Sequence, residues 1–144
     1  MVIVDSVRFV VPGPPVPQPR QRHRVVRGVA MNYTPKTHPV WGYKAAAALV
    51  AAEALPAGWD KAGMFSVSVV FVMPRPQKLG KKNPGRAFAP VRPDMDNFCK
   101  SLFDGLTGTT WVDDGQIVSQ SASKFYAAAW EEPCTEVYLA LIGR

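Results

Sequence analysis

From Met64 to Met73 the chain alternates, with Phe65, Val67, Val69, Phe71 and Met73 on one side of an extended backbone and Ser66, Ser68 and Val70 between them. Successive side chains of a strand point to opposite faces, so this segment predicts a strand with one apolar face that should pack against a helix. Two segments can supply helices. Thr37 is a candidate N-cap with Pro39 in the first turn, and the alanine-rich run after it favours helix to about Leu55, where Pro56 and Gly58 end it. A second helix is expected from about Asp94 to Leu106. Met95, Phe98, Cys99, Leu102 and Leu106 would form its buried stripe, and Asp96, Lys100 and Asp104 would share another face. Gly105 should weaken this helix and Gly108 stop it.

The remaining elements are shorter. Val7 to Val11 reads as a strand, ended by the proline-rich stretch Pro12 to Pro19. Val25-Val26 and Val29 to Tyr33 flank Arg27-Gly28 as a short hairpin. Pro74 to Pro93 reads as a long loop rich in Pro, Gly, Lys and Arg, and a solvated loop and a DNA-binding one weigh equally there. Trp111 to Gly115 is a turn, and Gln116 to Tyr126 and Thr135 to Ile142 are closing strands. This order predicts one mixed α/β or α+β domain over residues 1–144. No apolar run approaches the ~20 residues of a membrane helix, and no basic segment followed by an apolar one opens the chain. Cys99 and Cys134 lie far apart without metal-ligand spacing, and read as reduced thiols of a cytoplasmic protein.

The net charge is +6, which suggests a polyanionic partner. Its distribution says more. No Asp or Glu occurs between Ser6 and Ala52, where Arg8, Arg20, Arg22, Arg24, Arg27, Lys36 and Lys44 lie. None occurs between Lys61 and Pro93, where Arg75, Lys78, Lys81, Lys82, Arg86 and Arg92 lie. Acids gather instead at Asp94, Asp96, Asp104, Asp113 and Asp114. A basic chain that concentrates carboxylates this way accepts local repulsion, and a bound cation is the simplest offset.

Mg²⁺ prefers hard oxygen ligands: a few carboxylates, waters and substrate phosphate oxygens. Asp94 at the helix entrance and Asp96 one turn in could point to a common place, with a third carboxylate from the Asp113-Asp114 turn. Such a metal can activate water for phosphodiester cleavage. Lys100, one turn beyond Asp96, could add positive charge where negative charge develops. Each residue also has a structural reading. Asp94 can be an N-cap, Lys100 can pair with Asp96 or Asp104, and Asp-Asp-Gly can be only a turn. Together, in a basic chain, they make metal-dependent phosphoryl chemistry an equal contender.

Pro93-Asp94-Met95-Asp96-Asn97, then Lys100, Asp104, Gly105 and Leu106, then Trp111-Val112-Asp113-Asp114-Gly115-Gln116-Ile117 resembles the signature of the RusA-type Holliday junction resolvases. These are small endonucleases often found on phages and prophages. The close resemblance covers roughly Arg92 to Lys124, with looser similarity at Pro14 to Arg24 and at Tyr33-Thr34-Pro35. It implies a homodimer with a mixed sheet packed by two helices, and Mg²⁺ or Mn²⁺ as cofactor. It also implies paired symmetric nicks across four-way junctions in DNA recombination and repair. Asp94, Asp96 and Asp114 match the essential metal-binding carboxylates and Lys100 the essential basic residue, while Asp113 stays open as an alternative third ligand. Arg20, Arg22, Arg24, Lys81, Lys82 and Arg86 are candidate phosphate contacts, and Lys124 is a candidate neighbour of the scissile phosphate. The alternatives are a catalytically inactive protein that binds branched DNA, and a structural domain whose acids merely cap a helix and a turn.

Overall fold

The computed structural model describes residues 2–143. Its elements are β1 (Asp5–Pro12), β2 (Arg22–Val26), β3 (Val29–Tyr33), α1 (Val40–Ala54), β4 (Met64–Met73), β5 (Ala87–Phe88), α2 (Met95–Leu106), β6 (Ile117–Tyr126) and β7 (Cys134–Gly143). Five strands form one sheet in the order β1-β7-β4-β6-β5, and β2 and β3 form a separate two-stranded ribbon. β4 and β6 run parallel, and every other pairing is antiparallel. The sheet is therefore mixed, and the architecture is the expected α+β one. Parallel neighbours need a crossover, and α2 lies within the connection between β4 and β6.

The alternation in β4 does what its pattern demands. Phe65, Val67, Val69 and Phe71 are at most 3% exposed. They join Val7, Phe9 and Val11 of β1 and Val137, Leu139 and Leu141 of β7 beneath the two helices. Phe71 stacks on Phe98 of α2 at 5.0 Å between ring centroids. Trp111, fully buried, lies 5.7 Å from Phe65 and meets Phe103 edge-on. Serines line the opposite face of the sheet, where Ser121 donates to Ser68.

Two local features differ from the sequence expectation, and at Gly105 the structure adds a contact that the sequence did not show. Thr37 is not the cap of α1. The helix begins at Val40 with Pro39 in the cap position, and the Nδ1 of His38 accepts the Val40 N–H at 3.1 Å. His38 is itself held in a turn by its N–H to Pro35 O, so its ring lies nearer the free helix donors. Gly105 lies in the last turn of α2, which ends at Leu106 as expected. It is the point where α1 passes closest, because a Cβ there would stand 2.9 Å from Lys44 Cα. Finally, residues 74–93 are not structureless. The Arg75 guanidinium donates to the carbonyls of Gly80, Asn83, Gly85 and Ala127 at 2.8–3.2 Å. It gathers the segment around one side chain, while β5 pairs with the edge of β6.

Gly105→Ala tests the helix crossing. Alanine favours helix over glycine by about 1 kcal/mol, yet here its methyl meets backbone. The variant should lose stability by about 1–3 kcal/mol in denaturant unfolding, the cost of overpacking. A gain in stability would contradict the close approach.

Candidate functional site

Packing decides which side of α2 faces outward. Phe98, Cys99, Ser101, Leu102, Phe103 and Leu106 are buried, which leaves Asp96, Asn97, Lys100 and Asp104 as the exposed arc. Asp94 occupies the cap position in extended backbone (φ −64°, ψ 145°), but its side chain makes no capping hydrogen bond. Its carbonyl instead accepts the Asn97 and Phe98 N–H groups. The carboxylate is exposed and is not engaged in capping. Asp96 lies in the first turn, where the helix dipole favours negative charge.

Lys100 does not pair along its own helix. Asp104 accepts from Lys44 of α1 at 3.3 Å, and no ion pair to Lys100 occurs among the described residues. Lys100 instead lines an open cleft of about 600 Å³ with Gln18, Pro19, Arg20, Gln21, His23, Asn97 and Asp104. The proline-rich segment forms the far wall. It is docked on α2 by Gln18 N–H to Asn97 O at 2.9 Å and by the Ser101 hydroxyl to Val16 O.

Lys124, on β6, sits at the start of α2. Its ammonium donates to Val91 O at 2.6 Å and to Pro93 O at 2.9 Å, which ties the segment leading into Asp94 to the sheet. The Arg92–Pro93 bond within that segment is cis.

The second acidic segment is a clamped turn. The Gln116 side chain accepts from the Val112 and Asp113 N–H groups and donates to Lys61 O and Gly63 O, all at 2.7–3.0 Å. Asp113 Oδ1 accepts the Gly115 N–H at 3.0 Å, so Asp113 and Gln116 form a reciprocal capping box. Asp113 therefore has a structural task. The Asp114 carboxyl is pushed above the usual carboxylate range, first by partial desolvation, then by a hydrogen bond with Asp113 and by the charges of Asp113 and Asp104.

The predicted carboxylates are not all brought together. Asp94 and Asp96 stand at the start of α2, whereas Asp114 interacts with Asp104 toward its end. At 1.5 Å per residue, roughly 15 Å of helix axis separates Asp94 from Asp104. Among the described residues, no three His, Cys, Asp or Glu side chains are grouped closely enough to hold a metal ion.

The basic candidates also separate. Arg20 lines the cleft, Arg22 and Arg24 lie on the exposed ribbon, and Lys81 and Lys82 are exposed on the segment organised by Arg75. Arg86 is engaged by two carboxylates, Glu131 at 3.0 Å and Glu136 at 2.9 Å. These hydrogen bonds hold its guanidinium firmly in the charged form. Sequence reasoning missed the Gln116 clamp, although its position three residues after Asp113 is the capping-box spacing. It also missed the Lys44–Asp104 pair, which no local pattern announces.

Comparison with known proteins gives this arrangement its context. The chain matches the family described as Endodeoxyribonuclease RusA over residues 12–139, a span that includes both acidic segments, Lys100 and Lys124. A Bacillus subtilis (strain 168) protein described as "Uncharacterized protein YqaN" is 31% identical over 143 residues, covering 94% of this chain and 96% of that one. The match runs from the proline-rich segment through both helices and the acidic turn to the last strand, and the chain belongs to the RusA family of endodeoxyribonucleases.

Proposed function

We propose that the protein is a divalent-metal-dependent, structure-selective endonuclease that resolves four-way DNA junctions by paired symmetric nicks, in DNA recombination and repair. The observation that carries this reading is the exposed arc of α2. Asp96 and Lys100 lie there beside Asp94, which does no capping. Exposed carboxylates without a structural task suit Mg²⁺ or Mn²⁺, which take hard oxygen donors. The partly desolvated Asp114 carboxyl, raised further by Asp113 and Asp104, is of the kind a cation would return to its charged form. Asp94, Asp96 and Asp114 would hold the ion, and Asp113 is left to its cap. When bound, the metal would supply an activated water and charge neutralisation at the phosphate.

Lys100 contributes an ammonium where negative charge grows during cleavage. Lys124 ties the segment leading into Asp94 to the sheet, and from there it would approach the scissile strand. Arg20, Arg22, Arg24, Lys81 and Lys82 bind phosphates, whereas Arg86 is satisfied by Glu131 and Glu136. Because the three carboxylates do not converge within one chain, this reading requires that they be drawn together on assembly with metal, DNA and a second copy. A two-fold dimer would match the near two-fold symmetry of the junction and present one site to each of two strands.

The test is cleavage of a labelled synthetic four-way junction beside a matched linear duplex. Wild type should nick the junction symmetrically with Mg²⁺ and stop with EDTA. Asp96→Asn should fold and bind the junction but not cut it, and wild-type cutting by Asp96→Asn would sink the assignment. Binding without cutting by the wild type in either metal would instead favour an inactive branched-DNA-binding protein.

Lys100→Ala should lower the single-turnover rate roughly 10²–10³-fold, the usual loss for one transition-state charge partner. An unchanged rate would remove Lys100 from the chemistry.

A further inference from the structure

The ribbon of β2 and β3 belongs to neither the sheet nor the core. All of its residues are exposed except Tyr33, which is half-buried. Arg27 and Gly28 close it with positive φ values of 51° and 76°, the turn geometry that follows the natural twist of a hairpin. An isolated two-stranded hairpin is marginally stable in water, so a ribbon that covers nothing invites a partner.

Its two faces differ. The register places Arg22 opposite Tyr33, Arg24 opposite Met31 and Val26 opposite Val29, all on one face. His23 with Asn32 and Val25 with Ala30 occupy the other. The Arg24 guanidinium lies 4.7 Å above the Tyr33 ring, which holds its charge on the ribbon surface. His23 turns toward the cleft that Lys100 lines. In that cleft wall Gln18 carries a buried side-chain oxygen without a hydrogen-bond partner.

We propose that this ribbon is a DNA-gripping arm that lies in a duplex groove with its Arg22, Arg24 and Tyr33 face against the nucleic acid. The proposal deepens the nuclease reading and rests on it for the identity of the substrate. A major groove about 12 Å wide admits a two-stranded ribbon, whose strands are about 4.8 Å apart. Phosphates along the groove would take Arg22 and Arg24, and sugar and base edges would cover Val26, Val29 and Met31, which water does not favour. No Asp or Glu lies anywhere between Ser6 and Ala52 to repel phosphate. The same concentration of arginine disfavours a second copy of the arm as its occupant. Because the stem is docked on α2 by Gln18 and Ser101, a duplex held by the arm stays tied to the helix that carries Asp96 and Lys100.

The test uses the full chain in EDTA, so that binding is read without cleavage. Fluorescence anisotropy on a four-way junction and on a linear duplex is measured across a salt series. Arg22→Ala/Arg24→Ala should keep the wild-type melting temperature, because both side chains are exposed outside the core. It should weaken binding to both DNAs and flatten the plot of log affinity against log salt by about 2, close to 0.9 for each lost phosphate contact. An unchanged affinity and slope would overturn the proposal. If the double variant misfolds, a second variant with residues 22–33 replaced by a Gly-Ser linker gives the same reading. Val29→Asp should also weaken duplex binding. If it instead dissociates a dimer in sedimentation with DNA affinity intact, the arm is a protein contact and the proposal fails. Loss of binding in these variants would stand even if the wild type cut no junction, so the two readings fail separately.

Discussion

Burial of one stripe of α2 against β4 governs the rest of the molecule. Phe98 and Leu102 are at most 1% exposed, and with Phe71 stacked on Phe98 the helix cannot roll without opening the core. Truncating one such side chain to alanine typically costs about 2–5 kcal/mol. The reverse of that stripe is thereby fixed as well. Asp96, Asn97, Lys100 and Asp104 face out because the apolar residues between them face in. The chemistry of the outer arc is positioned by hydrophobic contacts that take no part in it.

Around this helix the charges are sorted by task. Lys44 neutralises Asp104, Glu131 and Glu136 neutralise Arg86, and Arg75 is absorbed by loop carbonyls. Asp113 is absorbed by its cap. What remains without such a structural partner includes Asp96, Lys100 and Arg22. An exposed ion pair contributes little to stability, so these pairings matter chiefly for which charges they leave available. Of the carboxylates left over, Asp94 and Asp96 stand at the start of α2 and Asp114 on the turn beyond its end, while Lys100 and Arg20 line one cleft. That distribution suits a polyanion that approaches with its own counterions.

Much of the fold was legible in the sequence. The strand at Phe65 to Met73 and the stripe of α2 follow from periodicity, because their apolar residues recur at the spacing of the backbone itself. The hairpin at Arg27-Gly28 follows from local turn chemistry, which needs no tertiary partner. What the sequence hid depends on contacts between distant segments. The role of Gly105 emerges only when α1 crosses it at Lys44. The order in residues 74–93 comes from Arg75 reaching carbonyls as far along the chain as Ala127. His38 displaced Thr37 at the start of α1 because of a turn set by Pro35. The residues of the acidic constellation were readable as a motif. Their spacing could not reveal that Asp94, Asp96 and Asp114 do not gather into one group, since the turn after α2 is placed by Trp111 and Gln116.

On the proposed reading, Asp94, Asp96 and Asp114 hold a divalent cation once metal and DNA are bound. This reading is tested most directly by locating Mn²⁺ through its anomalous scattering in crystals of the protein with a non-cleavable four-way junction. Mn²⁺ should be bonded to these three carboxylates beside a phosphate oxygen, with Lys100 near the same phosphate. Manganese held elsewhere, or a DNA-bound complex in which these carboxylates stay apart, would contradict it.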